Sequence, residues 1–229
     1  MTVDREDVAA LVRRIKRLQT GTAPDERIIV AVAGIPGSGK STICSRVATR
    51  AVEYGMGNVM VIPMDGFHHS KAELDCFQDP DEAHRRRGAP YTFNAEAFLV
   101  AVLALKSAKV TTAHESDHDS LWPGFDHAKQ DPIPDAILVP STTRVIVLEG
   151  NYVLLNDPPW SKISAVPSER WFVDVPREIA KERLVLRHLA AGIEGSVDAA
   201  TARIEYNDLR NGDYIVDHSV PADVVISNY

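Results

Sequence analysis

Apolar residues along this chain fall into two alternating patterns. Short runs with little polar interruption occupy Ile28–Ala33, Val59–Met64, Val145–Leu148, Trp171–Val175 and Val224–Ser227. Runs of that length, rich in β-branched residues, are what parallel strands buried on both faces require. Between them, residues 40–54, 94–108, 176–190 and 197–210 space their apolar positions three and four apart, as helices do. Val8, Leu11, Val12, Ile15 and Leu18 predict an amphipathic helix over 4–19, within the first 20 residues. Strands alternating with helices predict an α/β fold: a five-stranded parallel sheet flanked by helices on both faces. Ala136–Val139, ahead of Pro140, predicts a short further edge strand. Residues 66–93 and 111–135 break the pattern and are rich in Pro, Gly, His and Asp. Polar loops of that length are usually functional, and these are expected to cover a substrate. No repeat or interdomain linker intervenes, so residues 1–229 read as a single domain.

Chemistry enters directly after the first long strand. Residues 34–41 read Gly-Ile-Pro-Gly-Ser-Gly-Lys-Ser, a complete G-x-x-x-x-G-K-[ST] loop between a strand and a helix. Backbone N–H groups and the helix dipole make such a junction an anion site. Gly34, Gly37, Ser38, Gly39, Lys40, Ser41 and Thr42 are therefore the expected nucleotide contacts. Lys40 would reach the β- and γ-phosphates, and the Ser41 hydroxyl would ligate Mg²⁺. These features predict a P-loop NTPase fold that binds ATP with Mg²⁺.

Two acids end strands at the edge where ligands of open α/β sheets bind. Asp65 follows the second run, placed to accept a hydroxyl proton, with Gly66 read as allowing a sharp exit. Glu149 follows the third run and would share the metal with Ser41. Arg183 and Arg187 stand i, i+4 on the helix after Asp174-Val-Pro, a like-charge spacing that a polyphosphate would make favourable. They are read as an arginine lid that neutralises the transferring group. Arg177 and Lys181 fit either that lid or a solvated face paired with Glu178 and Glu182. His114 and His118 have an H-x₃-H spacing, but no further pair supplies the four ligands of a structural zinc site.

Composition narrows the classes. The net charge of −7 and pI near 5.6 argue against a nucleic-acid partner. No run is long and apolar enough to span a membrane. Asp4, Glu6 and Asp7 leave no secretory signal pattern. Cys44 and Cys76 give no disulfide framework and suit free thiols in a reducing cytoplasm.

In order along the chain, these motifs resemble the uridine kinase, phosphoribulokinase and pantothenate kinase group of P-loop kinases. The likeness runs from about Ile28 to the C-terminus. Its best subgroup match is the nucleoside/nucleotide-kinase-like or fructose-transport-kinase-like set. Met64-Asp65-Gly66-Phe67-His68 resembles the segment with that family's catalytic Asp. The stretch from Arg85 to Asn94 resembles its substrate-binding R-x-G-x-P-x-x-F-D, with Asn94 for the usual Asp. Pro123-Gly124-Phe125-Asp126-His127 resembles the segment that closes over substrate. Glu205-Tyr206-Asn207-Asp208 resembles a late helix bearing an Asn near the ligands. Gly66 and His68 replace the Ser and Tyr of uridine kinases, which lowers uridine as an acceptor.

The resemblance implies γ-phosphate transfer from Mg-ATP to a hydroxyl of a small metabolite: a nucleoside, a sugar or a pantothenate-like alcohol. Catalysis would rest on Asp65, Lys40, Arg183 and Arg187. Acceptor contacts would come from Phe67, His68, Arg87, Tyr91, Phe125, His127 and Asn207, with His69 and His84 nearby. The competing readings are a nucleotide-dependent switch or regulatory NTPase, for which no Asn-Lys-x-Asp guanine motif appears, and a binding protein that has lost transfer.

Overall fold

Strand β2 (Ile28–Gly34) is buried along its whole length. Alternate residues supply two different cores. Ile29, Ala31 and Ala33 join one apolar cluster, and Ile28, Val30 and Val32 join another on the opposite face. This two-sided burial is why the run shows no polar alternation. The computed structural model describes residues 1–229. The other strands are β1 (Thr2–Asp4), β3 (Val59–Pro63), β4 (Ser120–Asp126), β5 (Asp131–Val139), β6 (Val145–Glu149), β7 (Glu169–Asp174) and β8 (Val224–Ser227). Six of the eight form one sheet in the order β1-β8-β7-β2-β6-β3. Every pairing in it is parallel.

Helices cover both faces. The long ones are α1 (Val8–Gly21) and α2 (Lys40–Glu53), then, after the short α3 (Lys71–Leu74) and α4 (Pro80–Arg85), α5 (Ala95–Ser107). After α6 (Trp160–Ser164) come α7 (Arg177–Ala190), α8 (Val197–Tyr206) and α9 (Asp208–His218). Helices α1 and α2 bury Leu11, Val12, Ile15, Ile43 and Val47 against one face of the sheet. Helices α5, α6 and α9 bury Phe98, Val102, Ile163 and Ile215 against the other. A third, small cluster of Leu184, Ala200, Ile204 and Leu209 joins α7, α8 and α9 beyond the sheet edge. No helix is long and apolar enough to cross a membrane.

Four expectations need correction. The parallel sheet has six strands, not five, because Thr2–Asp4 pairs with β8. Only Val3 of that strand is buried, so no apolar run marks it. The first helix accordingly begins at Val8, where the Asp7 carboxylate accepts from the Ala10 amide at 3.0 Å. The helix expected over 197–210 is two helices. They meet at Asn207, whose amide side chain donates to the Arg87 carbonyl at 2.8 Å and holds the bend. Ala136–Val139 is no edge of the main sheet. It is the end of β5, which pairs antiparallel with β4 in a separate hairpin.

The two irregular segments are not structureless. Residues 66–93 hold α3, with a Ser70–Glu73 capping box, and α4, capped by Asp79 with Pro80 behind it. Residues 111–135 form most of the β4–β5 hairpin. It lies on the turn after β3: Trp122 Nε1 donates to the Pro63 carbonyl at 2.9 Å, and the Trp122 and Phe67 rings sit 4.9 Å apart. That contact gives Gly66 a role other than a sharp exit. A Cβ at Gly66 would run into the Pro123 carbonyl. Gly66→Ala is therefore expected to cost about 1–3 kcal/mol by forcing the hairpin outward. In urea the midpoint should fall with the slope unchanged; an unaltered midpoint would show that the hairpin yields freely.

Candidate active site

The parallel register fixes what meets at the carboxyl edge of the sheet. Val32, near the end of β2, pairs with Glu149, and Pro63 at the end of β3 pairs with the same Glu149. The glycine loop after β2, the acid ending β6 and Asp65 after β3 are thereby neighbours. All of them line one cavity of about 570 Å³, through Gly37, Lys40, Ser41, Asp65 and Glu149.

The loop is built to receive an anion. Gly39 caps α2 in the left-handed region, at φ +85°, and a side chain there would strike the Asn228 amide. The N–H groups of Gly37, Gly39, Lys40, Ser41 and Thr42 take part in no hydrogen bond within the protein outside regular elements. A helix N-terminus with free donors attracts phosphate. Lys40 Nζ donates to the carbonyls of Gly34 and Ile35 at 2.9 and 3.1 Å, folded back onto its own loop. Burial pulls its pKa down to about 8, against the attraction of Glu149 and Asp65. Ser38 is fully buried, and its hydroxyl bonds nothing.

Glu149 is the matching acid. Burial raises its pKa, while the Ser41 hydroxyl and the Lys40 charge pull the other way. Its Oε2 is buried without a partner. An orphaned carboxylate oxygen beside a loop hydroxyl suits a hard cation with oxygen ligands. The protein has no cluster of three or more His, Cys, Asp or Glu able to hold a metal by itself. His114 and His118 instead pair with Asp119 and Glu115.

The arginines of α7 separate by role. Arg187 lines both the main cavity and a smaller one of about 260 Å³ over the loop, and Arg183 lines only the smaller. Arg183 Nη2 donates to the Asn228 carbonyl at 3.3 Å, and its Nη1 is buried and unpartnered. Arg177 and Lys181 face elsewhere, paired with Asp213 and Glu205 rather than with Glu178 and Glu182.

Of the expected acceptor contacts, His68, Arg87, Phe125, His127 and Asn207 line the main cavity. Phe67 does not: it is buried against Phe98 and Trp122 as a core residue. Tyr91 does not either, being 49% exposed at the surface. His69 and His84 also lie off the wall; His84 bonds Asp75 at 2.7 Å. Sequence reasoning gave no role to Gln130, Asn151, Arg203, Asp208 and Asn211, which also line the cavity, as does His188 of α7. Asp208 adjoins the Asn of the quoted late-helix motif, and that was its available signal. It also missed Asn228, whose side chain donates to the Ser38 carbonyl and accepts from Arg5 Nη1 at 3.2 Å, bracing the loop from behind.

With this geometry established, relatives become informative. A Schizosaccharomyces pombe protein named as a candidate uridine kinase, C227.14, is 37% identical over 227 residues, 99% of this chain and 94% of its own. The ATP-dependent kinase-like protein notR' of Aspergillus versicolor is 42% identical over 163 residues, 71% of this chain and 92% of its own. The chain belongs to the uridine kinase-like family of P-loop kinases. The crystal structure of a candidate fructose transport system kinase from Silicibacter sp. TM1040 superposes with a TM-score of 0.82 at 34% identity. That match covers 95% of this chain and 98% of the other. No protein-family model matches the chain.

The half-buried Lys40 of this kinase generates a pH prediction. An unfolded lysine titrates near 10.4. Between about pH 8 and 10.4 the unfolded chain holds a proton here that the folded, nucleotide-free chain has lost, so this group makes stability rise with pH. Below pH 8 both states are protonated, and the burial cost is borne in full. From pH 8 to 10 the unfolding free energy of the free kinase should therefore gain relative to that of Lys40→Met. Parallel pH profiles for the two proteins would show that Lys40 is not held at a depressed pKa.

Proposed function

We propose that this kinase transfers the γ-phosphoryl group of ATP to a hydroxyl of a small metabolite, acting as one domain over residues 1–229. The observation that carries the reading is the single cavity onto which the glycine loop, Glu149, Arg187 and Asp65 all open. A nucleotide switch needs the loop and the acid but no second wall facing a carboxylate base. The polar wall beyond Asp65 favours transfer to a second substrate.

In this reading the loop amides and Lys40 hold the triphosphate, with Arg183 over its nucleotide end. Mg²⁺ would be held by Ser41 and Glu149, whose free Oε2 fits it, and would neutralise phosphate charge. Asp65 accepts the acceptor's hydroxyl proton as the new O–P bond forms; the bond from the γ-phosphorus to the bridging oxygen breaks, and ADP leaves. His68 Nδ1 lies 2.8 Å from the Asp65 carbonyl and so fixes the turn that carries the base. Arg187, between the two cavities, meets the charge of the group in transit. The free cysteines Cys44 and Cys76 fit a cytoplasmic setting.

Asp65→Asn tests the assignment, because the amide keeps the shape and loses the basicity. ATP affinity should hold while kcat falls ~10²–10⁴-fold, the usual worth of a general base. Arg187→Ala should lower kcat more than it weakens ADP binding, whereas Arg183→Ala should chiefly raise KM for ATP. Loss of ATP binding in Asp65→Asn with kcat intact would make Asp65 a structural or metal residue and remove the base from the mechanism.

A further inference from the structure

The acceptor half of the cavity carries two aromatic rings, Phe93 and Phe125. Both are already engaged. The His68 imidazole lies between them, its centroid 3.8 Å from Phe93 and 4.8 Å from Phe125, inclined by 36° and 40°. Phe93 is only 4% exposed and meets Tyr152 and Trp160 edge-on. Phe125 meets the His127 ring at 5.3 Å and the Arg87 guanidinium at 5.9 Å. Stacking on an aromatic face is a sequence-tolerant source of affinity for any nucleobase. Here the protein's own groups occupy those faces.

Arg87 points to what binds instead. Its side chain is 10% exposed at the wall of the cavity. Nη2 donates to the His69 carbonyl at 2.8 Å and to Asp131 at 3.2 Å. Nε and Nη1 are buried and bond nothing. Asp131 is a shared partner, since it also accepts from the Lys71 amide at 2.9 Å. A guanidinium has five N–H donors, and leaving buried charged donors unmet is costly. Nε and Nη1 lie on different edges of the guanidinium, so each can give one charge-assisted hydrogen bond to an oxygen of a carboxylate or phosphate.

His68 complements it. Its Nδ1 faces a carbonyl, so Nδ1 carries the hydrogen and Nε2 is left as an acceptor. Burial lowers the pKa of His68, keeping the ring neutral in that role. An uncharged acceptor nitrogen on a residue lining the same cavity as Asp65 suits a second hydroxyl.

Resting on the kinase reading above, we infer that the acceptor is a small polyol bearing an oxyanion, which Arg87 receives, and not a nucleoside. The test uses the full chain and matched probes: glycerate against glycerol for a carboxylate, ribose 5-phosphate against ribose for a phosphate, and uridine. Two readouts are taken, acceptor-dependent ADP formation and the thermal shift of the ADP-bound protein on adding each probe.

At least one anionic probe should surpass its neutral partner by tenfold or more in kcat/KM and in the concentration that shifts Tm. Whichever pair shows it identifies the carboxylate or the phosphate as the source. Arg87→Met should erase that advantage through KM for the acceptor, with KM for ATP unchanged, and Arg87→Lys should restore part of it. The Tm of the unliganded variants guards against misfolding. Preference for uridine or for the neutral partners, or an equal loss for both members of a pair in Arg87→Met, overturns the proposal while leaving the kinase reading standing. Absence of ADP formation with every probe counts against the kinase reading, and the thermal shifts still decide the acceptor class. No anionic advantage in those shifts overturns it.

Discussion

Everything in the site depends on parallel strand pairing about β2. Because β6, β3 and β7 all run in its direction, their carboxyl ends gather at one edge. Register then does the rest: Val32 and Pro63 flank the same Glu149, and Gly34 pairs with Val173 just ahead of α7. A slip of one residue would turn alternate side chains of these strands into the opposite core. The two large clusters, one on each face, forbid that slip. The hydrophobic effect thus sets the positions of charged groups that contribute little to the core themselves.

At that edge the structure is deliberately unsaturated. Lys40 lies folded onto its own loop carbonyls, and Glu149, Ser38, Arg183 and Arg87 each carry buried polar atoms without a protein partner. Unmet buried donors and acceptors cost free energy; those of Glu149 and Arg87 belong to residues lining the main cavity, and that of Arg183 to the smaller one over the loop. The surrounding structure offsets that cost. Asn228 ties the loop to Arg5 and Arg183, so the far end of the chain braces the glycine loop. A cradle shaped in advance needs less ordering when the nucleotide arrives.

Legibility followed the physics of each part. The sheet was readable because burial on both faces leaves continuous apolar runs. The glycine loop was readable because backbone approach to phosphate dictates residue type at several positions at once. Strand β1 was hidden, since three residues with only Val3 buried make no period. The β4–β5 hairpin was hidden by Pro123, Pro132 and Pro134, which argue against a strand from sequence alone. Phe67 and Tyr91 stand in the quoted family motifs, yet one fills the core and the other faces solvent. A motif gives the neighbourhood of a residue; the direction of its side chain is decided by packing. Asn228 had no signal, because its role arises only when β8 closes beside the loop.

The same contrast separates the two halves of the proposed reaction. The nucleotide half uses backbone donors and a point charge, chemistry common to any triphosphate, and it sits on α2 and the sheet. The proposed acceptor half is assembled from the segment after α4, the β4–β5 hairpin and the start of α9, joined by single long-range contacts: Asn207 to the Arg87 carbonyl, Trp122 to the Pro63 carbonyl, and Gly66 beneath Pro123. Arg87, Phe125 and His127 belong to neither large core, so these wall side chains can change without disturbing one. Arg187 lines both cavities, and its helix reaches past the sheet into the small cluster of Leu184, Ala200, Ile204 and Leu209. In the proposed reaction it is the point where the chemistry of phosphate meets that of the acceptor.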